Sequence, residues 1–178
     1  GSEMCIRDSI EGLEEQIAAL AAGRPLQYVL GYTEFCGLRI GVREGVLIPR
    51  PETEELVMRI VRQAPPSPTV LDIGTGSGCI AIALDRLIAG AEVHAGDLSE
   101  RALAIACENA AALGSGVRFF RADALGDLHE AAGRQYDIIV SNPPYVPAGD
   151  RLAMRRNVTG YEPAEALFVP DDDPLRFY

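Results

Sequence analysis

The chain has 178 residues, 16 basic and 26 acidic side chains, a formal charge of −10 and 48% hydrophobic residues. That is ordinary composition for one domain, or one domain with a short attachment, and it excludes disorder as the main state. The acidic balance opposes the broad basic face that dominates duplex DNA affinity, so direct DNA binding is not expected.

No apolar run reaches the ~18 residues of a membrane-spanning helix, and the N-terminus lacks a charged start followed by an apolar core, so the sequence reads as soluble and cytoplasmic with no membrane partner. Cys5, Cys36, Cys79 and Cys107 lie far apart, and only His94 and His129 could help them hold a metal. The expectation is therefore no metal, and buried, reduced thiols, with Cys79 and Cys107 packing helices. Every basic residue is arginine, a compositional bias without mechanistic content.

Residues 1–9 show neither helical nor strand periodicity and stay outside the expected fold. From Ile10 to Ala22 apolar residues recur at helical spacing, and Gly23 and Pro25 supply a stop. Residues 33–48 partly alternate, with Phe35, Leu38, Ile40 and Val42 between glycines, which predicts a hairpin. Pro49-Arg50-Pro51 leads into an acidic first turn and a helix over 52–62, and the prolines of 64–68 mark a connector.

From Thr69 onward strands and helices alternate. Strands are predicted at 70–73, 92–96, 117–121 and 136–141, and helices at 79–88, 100–113 and, shorter, 125–132. Such alternation implies an α/β fold with a parallel, helix-covered sheet and a site outside the carboxyl ends of its strands.

Asp72-Ile73-Gly74-Thr75-Gly76-Ser77-Gly78 joins the first of these strands to its helix, where glycines permit tight turning and close approach of backbone N–H groups to a ligand. The dinucleotide fingerprint would need a sixth-position glycine, and Cys79 stands there. This spacing, with Asp97 ending the next strand, resembles the S-adenosylmethionine site of Rossmann-like methyltransferases. The resemblance implies that Gly74, Thr75, Gly76, Ser77 and Gly78 lie against the aminoacyl part of the cofactor and that Asp97 accepts both ribose hydroxyls. It implies too that Asp123 and Ala124 lie near the adenine. Ala124 stands where relatives often carry an aromatic residue, so stacking is expected to be weaker. A bare strand-to-helix turn is the plainer alternative.

The last strand ends in Asn142-Pro143-Pro144-Tyr145. The prolines remove two donors and stiffen the loop, leaving the Asn142 side-chain oxygen and the Pro143 carbonyl as outward acceptors for an N–H₂ group. An amide or aromatic amine attacks carbon poorly because its lone pair is delocalised. Two acceptors on its hydrogens favour a pyramidal nitrogen and stabilise the developing positive charge, without a strong general base. Tyr145 can pack on the flat substrate group.

Asn-Pro-Pro-Tyr resembles the motif of methyltransferases that act on adenine N6 in DNA and glutamine N5 in proteins. The segments 23–31, 34–38 and 46–57, with Tyr161-Glu162-Pro163 and Ala166-Leu167, are similar to the release factor branch of the protein-(glutamine-N5) methyltransferase family. The ribosomal protein L3 branch usually reads Pro-Arg-Ser-Pro-Ile where this chain has Pro-Arg-Pro-Glu-Thr-Glu. The resemblance implies methyl transfer to the glutamine of the Gly-Gly-Gln motif of class 1 peptide chain release factors. In it, Asn142, Pro143, Pro144 and Tyr145 bind substrate, Asn142, Pro143 and Tyr145 are catalytic, and Asn142 also touches the cofactor. Arg50, Glu52 and Thr53 either border the pocket or only start a helix.

The implied fold is a Rossmann-like methyltransferase sheet with helices on both faces, preceded by a short helix and a β-hairpin linker. Residues 1–22 then correspond to part of an N-terminal helical domain, 23–48 to the linker hairpin and 49–178 to an incomplete methyltransferase domain. A chain shortened at both ends would expose a sheet edge and invite self-association. The alternatives are a DNA adenine N6-methyltransferase, the ribosomal protein L3 enzyme and an inactive cofactor-binding fragment.

Overall fold

A computed structural model describes residues 2–126, 128, 131 and 133–178, with side chains from residue 12 onward. Helix α1 spans Ser2–Ala21, so residues 2–9 are helical although their sequence lacks periodicity. No glycine or proline interrupts 2–11. Once the periodic segment is helical, each added residue costs no new nucleus. Gly23, at φ +89°, ends the run. A second, unexpected helix, α2 (Leu26–Leu30), follows, closed by Gly31 at φ +80°. Its five residues are too short to show a helical period.

Strands β1 (Tyr32–Phe35) and β2 (Leu38–Gly41) form the expected hairpin, pairing Tyr32 with Gly41 and Phe35 with Leu38. Both turn residues, Cys36 and Gly37, have positive φ, the geometry that matches a two-residue turn to strand twist. After an irregular stretch, helix α3 (Pro51–Gln63) begins with proline in its first turn and Glu52 and Glu54 beside the positive end of its dipole.

The alternating region folds as read. Strand β3 (Thr69–Ile73), helix α4 (Cys79–Leu87), strand β4 (Glu92–Asp97), helix α5 (Glu100–Leu113), strand β5 (Arg118–Arg121) and strand β6 (Ile138–Ser141) follow in order. The four strands form one parallel sheet in the order β5-β4-β3-β6. Of the short helix expected at 125–132, residues 127, 129, 130 and 132 lie outside those described, and Leu125, Gly126 and Leu128 are not helical. Beyond the sheet, β7 (Val146–Pro147) pairs in parallel with β8 (Phe168–Val169), and the short helix α6 (Arg156–Thr159) lies between them in sequence. No described helix is long and apolar enough to cross a membrane.

One continuous apolar core joins hairpin and sheet: Tyr28, Phe35, Ile40, Val42 and Val46 pack with Val70, Ile80, Leu84 and Ile105. Cys79 is part of this core, but Cys107 is exposed, which corrects its expected packing role: it lies on the outer face of α5, while Ile105, Ala106 and Asn109 face inward. Cys36 is half-buried.

The join between hairpin and sheet is also polar. Asn109 Nδ2 donates to the carbonyls of Gly41 and Ser77, both at 2.9 Å, and its Oδ1 accepts from Gly41 N–H at 2.8 Å. A side chain on Gly41 would meet that amide, since its Cβ would sit 2.7 Å from Oδ1. Asn109→Ala leaves these backbone groups without partners. Thermal unfolding should show a loss of about 3 kcal/mol and a midpoint lowered by roughly 6 to 12 °C. An unchanged midpoint would mean that the hairpin does not depend on this link.

Candidate functional site

The parallel register brings the carboxyl ends of three strands to one level. Ile73 of β3 lies opposite Gly96 of β4 on one side and Ser141 of β6 on the other, and Ser141 Oγ donates to the Ile73 carbonyl at 2.7 Å. The glycine loop, Asp97 and Asn142 follow these positions directly, so the topology alone assembles them outside the same sheet edge.

The loop's N–H groups turn inward. Gly74 and Thr75 both donate to the Gly96 carbonyl, at 2.8 and 3.1 Å, and Gly76 donates to Asp97 Oδ2 at 2.8 Å. Ser99 N–H donates to the other Asp97 oxygen at 2.9 Å. Three donors that could have cradled an anion are thus already committed, and Asp97 is held by two backbone bonds with lone pairs to spare. Gly78 has a different task. At φ +80° it begins α4, and a Cβ there would stand 3.1 Å from both Ala106 Cβ and Ile82 Cδ1, so it permits close helix packing.

Behind the loop Asp72 is fully buried. Its Oδ2 accepts from Thr75 Oγ1 at 2.7 Å, while Oδ1 has no hydrogen-bond partner among the described residues. Burial pushes its carboxyl up to about 7, opposed by the Thr75 hydroxyl and the Ala81 N–H and reinforced by the charge of Asp97.

Two cavities adjoin at this edge. The larger, about 650 Å³, is lined by Gly74, Thr75, Gly76, Ser77, Asp97, Asp123, Ala124, Asn142, Pro143 and Pro144, which gathers most of the residues singled out in the sequence. Gly78 and Tyr145 are not among its lining residues. Asp123 Oδ1 accepts from Leu125 N–H at 2.9 Å, which shapes the loop after β5. The smaller cavity, about 230 Å³, is lined by Glu52, Leu56, Tyr145 and Val146 among others, and Tyr145 stands 62% exposed. Leu47, Arg50, Thr53, Asn142, Pro143 and Ala166 line both and form the shared wall. Arg50, Glu52 and Thr53 therefore border a pocket as well as starting α3.

Sequence reasoning gave no role to Glu162. Its side chain is 2% exposed, and its Oε1 accepts from Arg50 Nη2 at 2.6 Å while Oε2 accepts from Ile48 N–H at 3.0 Å. The available signal was an acid between Tyr161 and Pro163 and an arginine between two prolines, with nothing to show that they meet.

The site lies at the carboxyl edge of a parallel α/β sheet, and the profile of the methyltransferase small domain family matches residues 52–158. The chain belongs to that family. It is 54% identical over 166 residues to the release factor glutamine methyltransferase of Bacteroides thetaiotaomicron, covering 93% of this chain and 59% of the relative. The enzyme of the same name from Flavobacterium psychrophilum is 45% identical over 170 residues, with the same two shares, 93% and 59%. The chain thus spans just under three fifths of the curated relatives it matches. A solved tRNA (uracil-54, C5)-methyltransferase of Pyrococcus abyssi, in complex with S-adenosyl-L-homocysteine, shares the fold, with a TM-score of 0.52 at 18% identity over 73% of this chain and 32% of that one.

The Asp72 carboxyl generates a pH prediction. Its folded pKa lies above the ordinary aspartate value of 3.8, so the folded state holds the proton more tightly and Asp72's favourable contribution is complete below about pH 4 and lost as pH rises to about 7. Asp72→Asn cannot ionise. Its stability relative to the native chain should therefore rise through that window by up to about 4 kcal/mol and stay level above it. Urea midpoints measured from pH 4 to 8 test this, and a pH-independent difference would contradict it.

Proposed function

We propose that this chain carries the reacting part of a release factor glutamine N5-methyltransferase. Its methyl donor is S-adenosylmethionine, and its target is the side-chain amide of the glutamine in the Gly-Gly-Gln motif of class 1 release factors. The observation that carries the reading is that Asn142 and Pro143 stand in the wall shared by the two cavities, where a donor in one can meet an amide in the other.

The larger cavity suits that donor. Its volume falls within the roughly 300 to 1,000 Å³ of small-molecule sites. The inward-turned loop N–H groups leave no diphosphate cradle, and this donor has no diphosphate. The Asp97 carboxylate, which lines the cavity beside the loop, favours a cation there. When bound, S-adenosylmethionine supplies an electrophilic sulfonium methyl group.

The chain's residues then divide the task. Asp97, already fixed by the Gly76 and Ser99 N–H groups, accepts from the ribose hydroxyls with its remaining lone pairs. Gly74, Thr75, Gly76 and Ser77 shape the wall beside the aminoacyl group, and Gly78 sets the packing that holds that wall. Asp123 and Ala124 border the adenine. From the other side, the Asn142 side-chain oxygen and the Pro143 carbonyl accept from the two amide hydrogens, which aims the nitrogen lone pair across the wall and favours positive charge there. Pro144 keeps the loop stiff, and the half-free ring of Tyr145 covers the flat amide at the mouth of the smaller cavity. Residues 49–178 carry the reaction, and Leu47, from the segment after the hairpin, completes the wall.

Asn142→Ala should lower methyl incorporation by roughly 100- to 1,000-fold, the scale of losing one preorganised polar group. The assay is labelled methyl transfer from S-adenosylmethionine to recombinant release factor, with the product glutamine located by mass spectrometry. Equal incorporation by variant and native chain, or methyl on a residue other than that glutamine, would sink the reading.

A further inference from the structure

Glu162 lines neither cavity, yet it is a buried carboxylate with a charged partner 112 residues away in sequence. Burying such a group is costly unless it is paired and hydrogen-bonded, and here one oxygen takes the Arg50 guanidinium and the other takes the Ile48 N–H. The second bond fixes the backbone just before Pro49-Arg50-Pro51. The first fixes the guanidinium itself.

Arg50 is 34% exposed and belongs to the wall shared by both cavities. Only Nη2 is used by Glu162, and Arg50 forms no other hydrogen bond among the described residues. A guanidinium has five N–H donors in a rigid fork, so donors remain for a ligand. Glutamine that offers its amide to Asn142 and Pro143 leaves its main chain further out along the smaller cavity. Main-chain carbonyl oxygens are the acceptors a peptide brings there, and a planar cation held at a fixed angle suits them.

We propose that Glu162 is a positioning residue for the peptide substrate: it holds Arg50 in the shared wall so that the free guanidinium donors bind main-chain carbonyls beside the target glutamine. This rests on the function proposed above and adds a determinant of peptide recognition to it. The role concerns substrate binding, so it separates from the amide chemistry at Asn142 and from cofactor binding at Asp97.

The test compares Glu162→Gln and Arg50→Lys with the native chain. The first keeps an acceptor for Ile48 N–H but removes the charge that orients Arg50; the second keeps the charge but loses the fork. Both should raise KM for release factor by about tenfold or more, leave kcat within about threefold, and leave the S-adenosylmethionine Kd within about twofold. Arg43→Ala is the control. It removes an arginine from an exposed pair with Glu108 away from both cavities and should leave all three constants alone.

An unchanged KM in either variant overturns the proposal, as does a loss of cofactor binding in parallel with the rise in KM, which would mark a structural role only. If Glu162→Gln fails to fold, Arg50→Lys decides by itself. A native chain that binds release factor without methylating it ends the functional reading, and equilibrium binding of the same variants then judges the inference. A native chain that neither binds nor methylates release factor overturns both.

Discussion

One carbonyl, that of Gly96, receives two N–H groups of the glycine loop, and the next residue's carboxylate receives a third. The rest of the site depends on this attachment of loop to strand. It satisfies a turn whose glycines hold positive φ at residues 74, 76 and 78. It also fixes Asp97 without help from a ligand, so the acid is preorganised. The attachment requires glycine at 96, because a Cβ there would meet Ala122 Cβ at 2.8 Å and the Phe120 ring at 3.2 Å. A loop that spends its donors in this way presents walls and carboxylates to its ligand, whereas a phosphate-binding loop presents N–H groups.

The opposite wall is built from irregular chain, and there the backbone needs partners that no ladder supplies. Between β2 and α3, residues 42–50 carry Leu47 and Arg50 into both cavities without strand pairing. Two buried polar side chains tie down the ends of this stretch. Asn109 from α5 holds Gly41 at one end, and Glu162 holds Ile48 and Arg50 at the other. In between, the Tyr28 hydroxyl donates to the Val46 carbonyl. Burial pushes the Tyr28 phenol well up, so it stays a neutral donor. A stretch of coil thus becomes a defined wall because distant side chains complete its hydrogen bonds.

These same contacts mark the limit of what the sequence could say. The sheet was legible because β3 and β6 are apolar runs and helical periods flank β4, and parallel topology then places Gly74, Asp97 and Asn142 together whatever the surroundings. Local chemistry was legible too: the prolines at 143 and 144 announce missing donors, and Pro51 with Glu52 announces a helix start. Long-range polar pairing was not. Nothing in the spacing of Arg50 and Glu162 reveals that they meet, and Asn109 reads as one polar residue in an alanine-rich helix. Helix α2 was too short for a period, and residues 2–9 became helical without one. Cys107 was misread because thiols favour burial in general, while the face of α5 on which it falls is set by its neighbours.

The acids beside the glycine loop set the electrostatics of the larger cavity's wall. Asp72 is buried with one oxygen unpartnered among the described residues, and Asp97 lies close enough to raise its proton affinity. The hydrogen bond from Thr75 and the nearby N–H at the amino end of α4 offset only part of the desolvation cost, because burial remains the largest influence. A positive ligand group beside the loop would lower that cost. By reciprocity, an acid whose charge is favoured by a bound cation increases the affinity of that cation. A cation bound there would turn a destabilising burial into selectivity by charge, from an acid that lies behind the backbone and outside the cavity lining.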